Sequence, residues 1–186
     1  MIVAVIPAKG GSKRLPRKNM FLINGKPLLE YTVKYIEKSK LINKFYVSTD
    51  NVDIINYCIQ NKIKYVKRPE SLGGDTPIIE VYKHFLTQVN FSDKINVILG
   101  LQPDHPDRRL SVDKTIELFL KEKADRLVSK NEKGEKNGAH YILSKRYFTE
   151  EITYKDITVI DNCTNIHYKE DILKAEKYLK ENEKNS

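Results

Sequence analysis

Two glycines and five cationic side chains fall within IPAKGGSKRLPRKN, residues 6–19, directly after the first apolar run of the chain. Lys9, Lys13 and Arg14 precede Pro16, and Arg17 and Lys18 follow it. Glycines at the end of a strand let backbone N–H groups approach phosphate oxygens, and nearby ammonium and guanidinium groups neutralise the oxygens' charge. The segment therefore reads as a triphosphate cradle, with a basic surface turn as the plain alternative. It contains neither GxxxxGK[ST] nor GxGxxG, so it is not a Walker loop or a dinucleotide fingerprint.

Three further segments carry candidate chemistry. RPESLGGDT, residues 68–76, offers Arg68 either as a ligand contact or as the partner of a neighbouring carboxylate. LQPDHPDR, residues 101–108, follows an apolar run and supplies Gln102, Asp104, His105 and Arg108. A carboxylate at the carboxyl end of a strand is well placed to hold a hard cation through oxygen, and Asp104 is the first metal candidate. The alternative for Asp104 is the cap of a turn before Pro106. TNIHYKEDILKAE, residues 164–176, leads into the last helical pattern.

Positioning these groups requires a sheet that delivers loop ends to one edge. Apolar runs rich in β-branched residues recur at 2–6, 45–48, 63–66, 95–99 and 127–129. Stretches of helical period lie at 28–38, 53–61, 79–88, 111–122 and about 168–181, the fourth with a candidate cap at Ser111. The alternation predicts an α/β fold with a mostly parallel sheet, helices on both faces through right-handed crossovers, and ligands at the carboxyl ends of the strands. No repeat or linker interrupts the 186 residues, which predicts one domain.

Composition narrows the function classes. The opening apolar run is too short to span a bilayer and lacks a basic start and a cleavage site, so a cytoplasmic protein with no membrane partner is expected. Cys58 and Cys163 have no His or Cys partner at metal-ligand spacing and read as buried thiols. The net charge of +8 suits a polyanion, but the Lys-rich runs at 130–136 and 177–184 lack interleaved aromatics, so no nucleic acid partner is expected.

The first segment resembles the IPARGGSKxxPxKN signature of the acylneuraminate cytidylyltransferase family, and the others are similar to that family's RPxxLAxDxA, LQPTSPLR and IDIDTxxDLxxAE stretches. The resemblance implies a Rossmann-like, three-layer fold of the nucleotide-diphospho-sugar transferase type. It also implies a reaction in which CTP is coupled to an acidic sugar with release of pyrophosphate, giving a CMP-sugar for cell-surface glycans. On that likeness Ala8, Lys9, Gly10, Gly11, Ser12, Lys13 and Lys18 surround the triphosphate, with Lys9 standing where the family usually has Arg. Asn19 and Arg68 address the cytosine, and Gln102 lies near the ribose or the acceptor. Lys9, Lys18 and Asp104 are the implied catalytic groups, and Asp104 with Asn165 the implied Mg2+ ligands. The family's two C-terminal aspartates fall on Asn165 and His167, and Asp161 is a spare carboxylate nearby. His105 and Arg108 are either contacts to a small anionic acceptor or solvent-facing loop residues. A long excursion that provides acceptor and dimer contacts in the family shrinks here to KNEKGEK, residues 130–136, before NGAHYI, residues 137–142. A homodimer is implied by the resemblance but not by this shortened segment, and the acceptor stays open. Three alternatives remain: the same fold with another acceptor or base, a non-catalytic nucleotide-binding homologue, and a basic nucleic-acid binder.

Overall fold

The computed structural model describes residues 1–74, 76–150 and 153–183. In chain order the elements are β1 (Ile2–Pro7), β2 (Leu22–Ile23), β3 (Lys26–Pro27), α1 (Leu28–Glu37), β4 (Lys44–Thr49), α2 (Val52–Gln60), β5 (Tyr65–Lys67) and α3 (Ile78–Gln88). They continue with β6 (Val97–Gly100), α4 (Val112–Lys121), β7 (Arg126–Lys130), β8 (Lys136–Ser144), α5 (Arg146–Thr149), β9 (Asp156–Ile160) and α6 (Lys169–Glu183). No helix among the described residues is long and apolar enough to cross a membrane.

Among the described residues, seven strands form one sheet in the order β5-β4-β1-β6-β8-β7-β9. β1 pairs in parallel with β4, from Val3↔Lys44 to Pro7↔Ser48, and with β6, from Ile2↔Val97 to Val5↔Gly100. Successive residues of a strand face opposite sides. Ala4 and Ile6 accordingly join Leu29, Val33, Ile54, Ile116 and Phe119 of α1, α2 and α4 in one core layer. Val3 and Val5 join Tyr82 and Phe85 of α3 in the other, against which Tyr147 and Phe148 of α5 pack. These two layers are the helices on both faces that the alternation predicts.

The sheet is mostly parallel, as expected, with one antiparallel strand inserted at its far side. β8 runs antiparallel to both β6 and β7, and β9 then pairs in parallel with β7 as an edge strand. Residues 131–135 close β7 onto β8 in a tight turn, in which Asn131 N–H donates to Glu135 O at 2.9 Å and Glu135 N–H donates to Asn131 Oδ1 at 2.9 Å. Ser111 holds the position before α4, but its side chain makes no capping bond. Asn51 does cap α2, accepting from Asp53 and Ile54 N–H at 3.0 and 3.2 Å.

A third apolar cluster fixes the site. Leu15, Ile23 and Leu28 pack with Ile166, Ile172 and Ala175, so the segment after β1 is pinned to the segment entering α6.

Candidate active site

β1 ends at Pro7, and the ladder extends one residue further through Ala8 N–H to Ser48 O at 2.9 Å. The chain then turns. Gly10 N–H donates to Asp50 Oδ1 at 2.7 Å, and a Cβ at Gly10 would fall 2.7 Å from Asn51 Nδ2, so only glycine lets the loop lie against the start of α2. Gly11 has no described residue within 4 Å of where a Cβ would stand. Buried Leu15 then anchors the loop, and residues Lys18–Met20 form a single 3-10 turn.

The result is one wall of a cleft of about 430 Å³ lined by Lys9, Gly11, Ser12, Lys13, Arg14, Lys18 and Asn19. Across it lie Arg68, Leu72, Ile78 and Val81, with Gln102, Asp104 and His167 at the remaining side. The expected nucleotide residues thus converge, with two exceptions. Ala8 and Gly10 stand behind the wall, supporting it through the bonds just described. The first-loop cations also divide: Lys13 and Arg14 are exposed in the cleft, whereas Arg17 turns outward to Asp53 at 2.9 Å. Lys9 reaches across to the carbonyl of Gly74 at 2.8 Å. It therefore ties the phosphate loop to the opposite rim, in a segment whose Asp75 lies outside the described residues.

Two side chains of the cleft are chemically distinct. Asn19 Nδ2 donates to Lys9 O at 2.8 Å, and its buried Oδ1 has no partner among the described residues. Arg68 is only 4% exposed, and its Nε also has no partner among the described residues. Its guanidinium lies 3.9 Å from Asp50, so the carboxylate alternative read from the sequence holds in part. Burial lowers the Arg68 pKa and Asp50 opposes that shift, keeping the cation charged. Buried polar groups are normally satisfied. The cleft thus joins an orphaned acceptor and an orphaned donor with apolar lining from Leu72, Ile78 and Val81, a combination that suits a flat, polar-edged group.

On the third side, Lys18 Nζ donates to Asp104 Oδ2 at 2.6 Å and to Ile166 O at 3.1 Å, while Ile166 N–H donates to Asp104 O at 2.9 Å. Asn165 does not line the cleft, and its Oδ1 is buried with no partner among the described residues. His167 does line it. Among the described residues, no group of three or more His, Cys, Asp or Glu side chains is arranged to hold a metal ion.

Behind this wall the structure corrects three expectations. Arg108 faces neither an acceptor nor solvent: its guanidinium donates to Ala139 O at 2.9 Å, Thr32 Oγ1 at 3.0 Å, His105 O at 2.6 Å and the Gln102 carbonyl. His105 is fully buried, its Nδ1 donating to Thr164 O at 3.1 Å, and burial pushes its pKa down to about 3. Asp161 is no spare ligand, because it is turned into the interior. There it accepts from His140 Nε2 at 3.1 Å and from the N–H groups of Arg109 and Cys163 at 3.2 Å each. Burial opposes its charge, yet the His140 bond and the backbone donors hold its pKa below the ordinary value. Sequence reasoning missed Asp107, whose carboxylate accepts from Thr164 N–H and Oγ1 at 2.8 Å each and locks the C-terminal segment against the loop after β6. Cys58 and Cys163 are free, buried thiols, as expected. Burial drives the Cys163 thiol far upward and that of Cys58 up to about 11, so neither is a nucleophile.

Comparison with known proteins places this geometry. A structure of CMP:2-keto-3-deoxy-manno-octonic acid synthetase complexed with CTP superposes with a TM-score of 0.75 over 97% of this chain and 99% of that one, at 13% identity, and so shares the fold. CMP-N,N'-diacetyllegionaminic acid synthase of Legionella pneumophila is 36% identical over 115 residues, which cover 58% of this chain and 48% of that protein. The 3-deoxy-manno-octulosonate cytidylyltransferase of Wigglesworthia glossinidia brevipalpis is 27% identical over 180 residues, 92% of this chain and 72% of that protein. The chain thus spans about half the length of the Legionella relative. A family profile described as Cytidylyltransferase matches residues 3–145, and on the strength of that match the chain belongs to the cytidylyltransferase family.

Proposed function

We propose that this protein couples CTP to a small anionic acceptor, an acidic sugar of the nonulosonate type, and releases pyrophosphate. The observation that carries the reading is the make-up of the cleft. One cleft combines Asn19 Oδ1 and Arg68 Nε, both without a partner among the described residues, with apolar lining from Leu72, Ile78 and Val81 and with the cations of Lys13, Arg14 and Lys18. A cytosine edge has an amino donor for Asn19 and acceptors for Arg68, and a triphosphate suits the cations.

The reaction asks for alignment and charge neutralisation rather than a covalent intermediate. An acceptor oxygen bonds to the α-phosphorus, the bond to the bridging oxygen breaks, pyrophosphate carries that electron pair away, and the acceptor's proton is lost to solvent. Lys13, Arg14 and Lys18 bind and orient the phosphates. Gln102 and His167 border the space left for the acceptor.

The donor set fits Mg2+ that arrives with the nucleotide. Asp104 is the cleft's carboxylate among the described residues, and Asn165 Oδ1 is an orphaned oxygen close by in sequence to Ile166. Magnesium commonly uses one or two carboxylates and takes its other ligands from phosphate and water. When bound there it neutralises charge on phosphate oxygens. The product, a CMP-activated sugar made in the cytoplasm, would serve cell-surface polysaccharide synthesis.

The test is pyrophosphate release from CTP, GTP, UTP and ATP with Mg2+ against a panel of acidic sugars and sugar phosphates. Release specific to CTP and one acid supports the reading. CTP binding without release from any acceptor favours a nucleotide-binding homologue without turnover, to which the exchange of two family aspartates for Asn165 and His167 also points.

A further inference from the structure

Lys18 is not free to meet a phosphate. Its Nζ is held by two oxygens, Asp104 Oδ2 at 2.6 Å and Ile166 O at 3.1 Å, and the Lys18 and Asp104 side chains are only 12% and 18% exposed. The arrangement is fixed from both ends, since Leu15 packs with Ile166 in one apolar cluster and Ile166 N–H donates to Asp104 O. An ammonium ion thus occupies an oxygen-lined position on the carboxylate assigned to metal.

Charge balance sharpens the point. Among the described residues lining the cleft, Lys9, Lys13, Arg14, Lys18 and Arg68 face one carboxylate, Asp104. A free dication entering this cleft meets net positive charge, and its carboxylate ligand is already neutralised. Like charges this close, partly shielded from water, repel strongly. A triphosphate changes the balance, because its oxygens offer Lys18 a charge-assisted partner equivalent to the one it gives up.

We propose that Lys18 acts as a built-in counter-cation of Asp104, which denies the carboxylate to free divalent ions and surrenders it only when a triphosphate takes the ammonium. Metal and nucleotide are then accepted together. This rests on the nucleotide reading above for its second half only. The first half concerns the nucleotide-free protein and is tested without nucleotide.

Mn2+ binding to the nucleotide-free protein, followed by electron paramagnetic resonance, separates the cases. Lys18→Met is expected to bind Mn2+ at least about tenfold more tightly than the unaltered protein, from relief of like-charge repulsion. The gain should vanish in Lys18→Met/Asp104→Asn. Equal Mn2+ affinity with and without Lys18 overturns the proposal. A second measurement leaves Lys18 in place: Asp104→Asn releases the ammonium, so CTP binding without metal should tighten about three- to tenfold. Where the unaltered protein binds CTP, unchanged or weaker metal-free binding in Asp104→Asn also overturns it. Absence of any CTP binding, alongside the expected Mn2+ result, would refute the assigned substrate and leave the Lys18 lock standing.

Discussion

On the wall formed by residues 9–19, Lys13 and Arg14 stand exposed, and Asn19 keeps an unpartnered oxygen. On the wall formed by residues 101–110, His105 and Asp107 are buried, and the Arg108 guanidinium is spent on carbonyls and a hydroxyl of the protein itself. The first wall leaves polar capacity for a ligand. The second uses the same kinds of side chain as a frame. Charged residues in a motif therefore say little about contact with substrate until their own partners are counted.

Arg108→Met is the strongest way to break the contrast. Leaving several internal oxygens unpaired should cost about 3–5 kcal/mol, read as a lower urea midpoint. A variant of unchanged stability with weakened acceptor use would move Arg108 to the ligand side. Asp104→Asn sits where the walls meet, and should lower kcat about 10²-fold while changing the urea midpoint far less. Lys13→Ala should raise KM for CTP about tenfold in low salt, with unfolding unaffected, as expected for an exposed phosphate contact.

Acid should expose the frame rather than the cleft. Burial, the larger cause, and Arg108 push the His105 pKa from 6.5 to about 3, and burial lowers that of His140 as well. The unfolded chain then binds protons that the folded chain refuses, so stability is fully present above about 6.5 and declines as pH falls towards 3. Urea midpoints between pH 7 and pH 5 test this, and His105→Gln should make the decline shallower. A slope unchanged by the substitution would remove His105 from the account.

What the sequence revealed follows the range of the interactions involved. The Gly-Lys loop was legible because its glycines, cations and Asn19 lie within one local segment at the end of β1. The helices α1 to α4 were legible from their apolar period. β8 was not, because its KNG opening is polar and Gly138, at φ +77, sits where a Cβ would strike Gln102 at 2.8 Å. β9 escaped notice because, as an edge strand, it alternates exposed and half-buried residues and has no continuous apolar run. The His105, Asp107, Arg108, His140 and Asp161 frame was out of reach for another reason. Its bonds join residues such as Asp107 to Thr164 and His140 to Asp161, and no local spacing records such pairings.

The bonds that Ile166 makes to Lys18 and to Asp104 also set a timetable. A chain is made from its N-terminus at roughly 5–20 residues per second, so its N-terminal part is the first available to fold. While the ribosome is still short of residue 166, the strands β1, β4 and β6 and their helices can already be in place, but the third side of the cleft cannot. The nascent protein should therefore acquire the β1, β4 and β6 part of its sheet before it acquires a competent site, and arrested chains that end on either side of Ile166, each followed by a spacer long enough to clear the exit tunnel, would differ in ligand capture far more than in protease resistance.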